Sequence, residues 1–371
     1  MAKLGRIPSP GAIAWTYAKY NWFQPLFKRP FLPTTLVLYV TYRCNSRCIM
    51  CGIWENQGLH DTTMELSPEE LDHILADRLF ANIQHLNING GEPTLRGDLP
   101  DLIQAAVDRL PRLRWITMSS NGLLADGLAP KILRLGQVCA QNNIRFSLGM
   151  SVHGVADVAD RVFGIVGAFD KQVKALTALH ELALDGKLRL SLHCVITAAN
   201  VSNLQELLYW GQERKLPISF ALGEVRDRFL NQGKADQVRV AEEQTGLVIG
   251  FLRELSRDKG LFKPSAFRYH HLANMLQFGQ KRTMSCHYAM GGVILGPWGE
   301  LYYCPHSQAL GNCRDQPAYE IYYDGENLDY RKSTLAQGEC LRCPPYTFNR
   351  LEFDKDILKY LKFLITPVRE I

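Results

Sequence analysis

Residues 40–54 read VTYRCNSRCIMCGIW and place Cys44, Cys48 and Cys51 at the spacing C-x3-C-x2-C. Three thiols are one ligand short of the tetrahedral set that a structural zinc takes. Being odd in number, they cannot close as disulfides among themselves. Soft thiolates select iron–sulfur clusters, and a cube normally takes four cysteines. Three cysteines on a cube leave one iron open, so the missing thiol marks where a small molecule can ligate metal. A chance triplet or a partial zinc site is the competing reading of the spacing alone.

The elements around this triplet form a regular alternation. TTLVLYVTY, from residue 34, is β-branched and apolar and reads as a buried strand. LSPEELDHILADRLF follows as a helix, with Ser67 as N-cap, Pro68 at the first helical position and Glu70 completing a capping box. Strands IQHLNIN, LRWITMSS, IRFSLGMSV and LRLSLHCVIT each precede a helical pattern, and PISFAL ends the series near residue 222. Six strands with five helical crossovers predict an α/β fold with a parallel sheet. Six units are too few for a closed eight-unit barrel, so a partial (β/α)6 barrel is expected. The triplet falls in the loop after strand one, at the carboxyl ends of the strands, where such sheets gather their active sites.

Outside 35–225 the texture changes. Residues 1–34, rich in aromatics and punctuated by Pro25, Pro30 and Pro33, read as a helix and strap. Residues 226–285 hold two helical segments, at roughly 236–258 and 264–280, and form a helical linker. Residues 286–347 form a small Cys-rich domain opening with a hairpin that turns at GPWG, and 348–371 form a C-terminal helix. Both terminal segments set Trp, Tyr or Leu beside lysines, so weak membrane contact through the termini stands beside simple packing as their reading.

With 371 residues, 46% hydrophobic content and a net charge of +5 without basic blocks, the composition fits a sizeable core and lacks a nucleic-acid signature. The ten cysteines cluster unevenly, which points to metal rather than disulfides. No 18-residue apolar run and no signal-peptide pattern occur, so a cytoplasmic placement is the default.

The triplet, joined to NGGEP at 89–93, resembles the radical S-adenosylmethionine (SAM) superfamily over residues 35–225. The resemblance implies a [4Fe-4S] cluster on Cys44, Cys48 and Cys51, with SAM chelating the open iron and splitting on one-electron reduction to a 5′-deoxyadenosyl radical that abstracts substrate hydrogen. A flavodoxin or ferredoxin is the implied reductant. Gly90 and Gly91 allow close backbone approach to a ligand, and Glu92 can pair with the SAM ammonium. Ser119 and Asn121 in SSNG match the segment lining the SAM ribose. Ser151 in SVHG matches a family position where His153 replaces the usual Asp, and a loop histidine bonded to backbone is the plain alternative. Arg161 matches an arginine that helps hold SAM.

Cys286, Gly299, Cys304, Cys340 and Cys343 resemble the twitch domain, the shortened relative of the SPASM domain. That resemblance implies a second [4Fe-4S] cluster on the four cysteines, closed to substrate and suited to electron transfer, with structural zinc as the alternative. Cys139 and Cys194 read as core. Cys313 reads either as a small buried hydrophobe or as a thiol that donates a hydrogen atom. His306 reads either as a turn residue or as a base. A dehydrogenase would use a base such as His306 and send an electron to the second cluster, whereas an epimerase would use Cys313. Residues 1–34 are short for the leader-binding domain of peptide-modifying relatives, so a small molecule, carbohydrate or cyclitol, is the expected substrate. A peptide maturase or epimerase is the alternative, and a non-catalytic iron–sulfur or zinc module a further one. Glu224, Arg226, Asp227 and Arg228, after strand six, could hold substrate hydroxyls or phosphates or form a solvated charged loop.

Overall fold

The computed structural model describes residues 9–24, 29–184, 188–258, 264–346 and 350–366. Pro25 of the expected strap, Thr347 at the end of the Cys-rich segment, and residues 348–349 and 367–371 of the expected C-terminal helix lie outside them. The chain forms two compact units. A sheet unit comprises Leu32–Thr245 and Gly292–Arg331, and a helical unit comprises Met1–Phe31, Gly246–Gly291 and Lys332–Ile371.

The sheet unit holds the six expected strands: β1 (Thr35–Tyr39), β2 (His85–Asn89), β3 (Trp115–Ser120), β4 (Arg145–Ser151), β5 (Arg189–Ile196) and β6 (Ile218–Leu222). Each is parallel to its neighbour, in a partial barrel. The hairpin at GPWG also forms, as β7 (Gly292–Leu295) and β8 (Glu300–Tyr302), followed by β9 (Gly311–Asn312). β7 lies parallel to β1 and extends the sheet to nine strands, a pairing without a mark in the sequence. A four-residue apolar run carries no mark of its distant partner.

The register divides the sheet into two faces. Leu36, Leu86 and Ile116 align on one face, as do Leu38, Ile88, Met118 and Leu148, and all are buried. The other face aligns Asn87, Thr117 and Ser147, then Ser119, Gly149 and Ser191, then Ser151, His193 and Ser219. A sheet buried on both sides reads as continuous apolar runs; the alternation here gives the barrel a polar face. That face is hydrogen-bonded within itself: His85 Nε2 lies 2.8 Å from Thr117 Oγ1, and His193 Nδ1 lies 2.6 Å from Ser219 Oγ.

The helix Pro68–Leu75 starts with the expected capping box, Glu70 N–H donating to Ser67 Oγ (3.2 Å) and Ser67 N–H to Glu70 Oε2 (2.9 Å). An additional short helix, Asp157–Phe163, ends at Gly164 in the left-handed conformation (φ 66°). In the helical unit, Ala266, Phe267, Met284, Tyr360 and Phe363 form a core between the helices Pro264–Phe278 and Ile357–Ile365. Burying an aromatic such as Tyr360 is worth about 2 kcal/mol.

Candidate active site

The loop carrying Cys44, Cys48 and Cys51 leaves β1 and is fixed by main-chain bonds from three directions. The β2 turn holds its start: Gly91 N–H donates to Thr41 O (2.7 Å) and Glu92 N–H to Arg43 O (2.8 Å). A Cβ on Gly90 (φ 152°) would lie 2.5 Å from Thr41 O, and one on Gly91 would fall inside the van der Waals shell of Arg43 O. Both glycines therefore let the turn press against the cysteine loop. The helix Asp157–Phe163 holds the middle, accepting from Arg47 N–H at Phe163 O and from Ile49 N–H at Val162 O, both at 3.0 Å. The segment after β6 holds the end, Phe229 O accepting from Gly52 N–H at 2.8 Å.

The three thiols are half-buried and electrostatically coupled to one another. Burial pushes the Cys44 thiol up to about 11 and the Cys48 thiol up to about 12, and it raises Cys51 as well. Donors counter this: Ser46 N–H faces Cys44 Sγ at 3.4 Å, Ser46 Oγ lies 3.0 Å from Cys48 Sγ, and Asn121 Nδ2 lies 3.8 Å from Cys44 Sγ. Burial and mutual repulsion disfavour thiolates here, and a soft cation would offset both. The donor set thus fits three corners of an iron–sulfur cube.

Glu92 is 1% exposed, and its carboxylate accepts from Thr94 Oγ1 (2.6 Å), Ser120 Oγ (2.9 Å), and the N–H groups of Asn121 (2.6 Å) and Thr94 (3.2 Å). Burial raises its pKa and these donors oppose the rise. The carboxylate thereby ties the β2 turn to the end of β3. Asn121, so placed, donates to Asn45 Oδ1 (2.8 Å) and faces Cys44. Ser119 sits half-buried on the polar face of β3, in register with Gly149. Ser151 ends β4, and its carbonyl and that of Asn121 both accept from Gln172 Nε2 at 2.8 Å. Arg161 is exposed on the helix whose carbonyls hold the cysteine loop. His153 is buried; its Nδ1 accepts from Val195 N–H at 3.2 Å and its ring stacks on Phe163 at 4.9 Å. Burial, then the charge of His193, depresses its pKa to about 4. It is a neutral histidine bonded to backbone.

Sequence reasoning missed Asn231, Lys234 and Trp54. Asn231 is fully buried and joins the segment after β6 to the cysteine loop: Nδ2 donates to Met50 O (2.8 Å) and Glu224 O (3.0 Å), and Oδ1 accepts from Arg226 N–H (2.7 Å). Lys234 Nζ donates to Cys51 O at 2.9 Å and pairs with Glu55 at 2.7 Å. Trp54 Nε1 donates to Cys48 O at 3.2 Å, with Arg47 and Lys234 each about one ring-contact away, at 5.1 and 5.0 Å. No spacing rule points to Asn231 or Lys234, 181 and 183 positions from the carbonyls they brace; only the run of polar residues after strand six marks the segment. The same segment positions chemistry. Glu224 pairs with Arg226, and His306 Nε2 lies 3.6 Å from Glu224 Oε2. Two residues singled out separately in the sequence thus form an acid–imidazole pair at the carboxyl end of β6.

Cys313 lies beyond β9, its N–H donating to Gly299 O at 2.7 Å. Burial, with Asp77 and Glu300 adding to it, pushes its thiol up to about 12. In the helical unit, Arg282 NH1 faces Cys343 Sγ at 3.6 Å and its side chain also bonds Met284 O (2.9 Å) and Ser285 O (2.7 Å). Burial alone would lower the Arg282 pKa, but the charges of Cys286, Cys343 and Glu352 raise it. Cys340 opens the turn Cys340–Arg342. Cys304, in the sheet unit, is turned back by Ser307, whose N–H and Oγ both donate to Cys304 O at 3.1 Å.

A family model for the Radical SAM superfamily matches residues 38–208. The chain is 31% identical over 183 residues to an Fe-coproporphyrin III synthase of Methanosarcina barkeri, covering 49% of this chain and 42% of that protein. It is 30% identical over 177 residues to a PqqA peptide cyclase of Granulibacter bethesdensis, covering 47% and 43%. It therefore spans less than half the length of these two relatives. A longer match, 26% identical over 325 residues, is to the mycofactocin maturase MftC of Mycobacterium tuberculosis, covering 85% of this chain and 76% of that protein. Among solved structures, Streptococcus suis SuiB bound to precursor peptide SuiA shares the fold, with a TM-score of 0.58, 14% identity and coverage of 90% and 74%.

Proposed function

We propose that the chain is a radical SAM enzyme of the SPASM/twitch branch, a peptide maturase holding two [4Fe-4S] clusters. The observation that carries the reading is the convergence of Cys44, Cys48, Cys51, Asn121 and the Gly90–Gly91 turn at the carboxyl ends of β1 to β3. When bound, the first cluster and SAM supply a deoxyadenosyl radical able to take a substrate hydrogen. The chain's own residues orient and shield. Ser119, Asn121, Ser151 and Arg161 are proposed to contact SAM. Glu92, whose carboxylate already serves four internal donors, braces the turn rather than pairing with the SAM ammonium. His306, set by Glu224, accepts a proton from substrate. Cys313, bordered by carboxylates, packs rather than donates a hydrogen atom. Cys286, Cys304, Cys340 and Cys343 are proposed to hold the second cluster, with Arg282 offsetting thiolate charge in the helical unit.

A peptide substrate is favoured over the carbohydrate or cyclitol expected from sequence. Support comes from the relatives, which include a peptide cyclase and a maturase matching most of the chain. The sugar expectation rested on the brevity of residues 1–34, which bears on leader binding and not on what the barrel holds. The test is anaerobic reconstitution with SAM, a reductant such as reduced flavodoxin, and a panel of peptides and glycosides in deuterated water. Expected are deoxyadenosine, a peptide product and no deuterium on the reacting carbon. Absence of deoxyadenosine overturns the enzyme class, turnover of glycosides alone overturns the substrate, and deuterium on that carbon overturns the His306 assignment.

A further inference from the structure

The helical unit exposes two groups of large apolar side chains. Helix Pro10–Ala18 and its continuation Lys19–Phe23 present Trp15 (62% exposed), Trp22 (61%) and Phe23 (38%). Trp15 and Phe23 rings lie 5.8 Å apart, and Tyr17 meets Trp22 edge-on at 5.9 Å, so these aromatics form one patch. Helix Ile357–Ile365 is apolar on two sides. Tyr360 and Phe363 turn into the core, while Leu358 (59%), Leu361 (43%) and Ile365 (82%), at i, i+3 and i+7, share an outward stripe. Asn21 Nδ2 donates to Lys355 O at 3.2 Å, which ties the first segment to the residues just before the second.

Charge selects the occupant. Residues 1–54 contain no Asp or Glu, and the described part of the helical unit before residue 32 carries Lys19 and Arg29. Helix Ile357–Ile365 carries two exposed lysines and no acid: Lys359, whose Nζ pairs with Asp356 just before the helix at 2.8 Å, and Lys362, which points its charge to solvent. Tryptophan beside lysine is the composition of a lipid–water interface, where rings sit at headgroup level and lysines reach phosphates. A protein interface of this size would instead deplete lysine. No described helix is long and apolar enough to cross a membrane. We propose that these two segments dock the helical unit peripherally on an anionic bilayer, an interaction independent of the reaction assigned above.

The test is co-sedimentation of the full, cluster-loaded chain with phosphatidylcholine vesicles and with mixed phosphatidylcholine–phosphatidylglycerol vesicles, together with tryptophan emission. Expected are binding to the mixed vesicles that salt reverses, and a blue shift. Lys362→Gln should weaken binding by about fivefold, and Lys362→Glu by about that factor again. Trp15→Ser with Trp22→Ser should weaken it and remove the blue shift, with the visible cluster absorbance unchanged as proof of folding. No binding at low salt, or binding that neither the lysine nor the tryptophan variants alter, overturns the proposal. So does self-association without lipid that the tryptophan pair abolishes, because a second copy would then be what covers the patch.

Discussion

Cys44, Cys48 and Cys51 lie in one loop of the sheet unit, whereas Cys286, Cys340 and Cys343 belong to the helical unit and Cys304 to the sheet unit. The first set is local in sequence and held mostly by backbone: the β2 turn, the helix Asp157–Phe163 and the segment after β6 all bond the loop's main chain. In the second set a charged side chain, Arg282, lies beside Cys343 and Cys286. A site fixed by main-chain bonds within one folded unit is ready before its metal arrives. Where ligands come from distant stretches of sequence, as Cys286, Cys304, Cys340 and Cys343 do, metal binding and folding are linked.

The largest effect should separate the two sets outright. Cys48→Ala is expected to abolish deoxyadenosine formation and halve the iron content, from about eight to about four per chain. Cys343→Ala is expected to halve iron likewise, yet keep deoxyadenosine formation while losing product. Iron analysis and chromatography of the nucleoside check both, and loss of deoxyadenosine in Cys343→Ala would show that the sets do not work independently. The next effect compares glycines beside each set. A methyl on Gly91 would collide with Arg43 O and Tyr42 O, whereas one on Gly338, two residues before Cys340, would meet nothing within 4 Å. Gly91→Ala should cost about 3 kcal/mol, and Gly338→Ala should be neutral or stabilising by up to about 1 kcal/mol. Denaturant midpoints of the two variants give the contrast.

What could be read from sequence follows the same division. The triplet, the six strands and the capping box at Ser67 are local patterns with fixed spacing, and each appears where its spacing puts it. Glu92 was noticed for its motif, but its four donors come from the ends of β2 and β3 and have no signature in the chain. His306 and Glu224 stood out as separate residues; only the fold makes them a pair. Asn231, Lys234 and Arg282 were invisible because a polar residue bracing a distant loop looks like any solvated residue until the contact forms. The pairing of β7 with β1 failed to show for the same reason.

Acid should act on both units. In the sheet unit, burial holds His153 and His85 at about 4; in the helical unit it holds His271 at about 4. Each is depressed below the ordinary value near 6.5, so the unfolded chain binds protons that the folded one refuses. Their stability contribution is complete above pH 6.5 and is lost as pH falls from there towards 4, by up to about 3 kcal/mol per histidine. Unfolding free energy followed against pH should fall through this window. His153→Gln should flatten that limb in the sheet unit, and an unaltered slope would show that His153 is free to protonate in the fold.

The smallest effect concerns the cations beside the two thiol sets. Arg282 has little side-chain exposure and lies 3.9 Å from Glu352, itself 1% exposed, so Arg282→Gln strands a buried acid. Lys234 reaches Cys51 O but pairs with Glu55, which is 47% exposed, and water can replace much of what it gives. Lys234→Gln should therefore cost only about 1 kcal/mol in denaturation. Its charge nonetheless favours thiolate at Cys51. Removing a positive charge next to a centre that becomes more negative on reduction makes that reduction harder. A redox titration followed by electron paramagnetic resonance should show the first cluster moving to a more negative potential, while Lys234→Arg restores it. A potential unchanged in Lys234→Gln would mean that Lys234 only ties down the loop, and that the first site is set by its backbone alone.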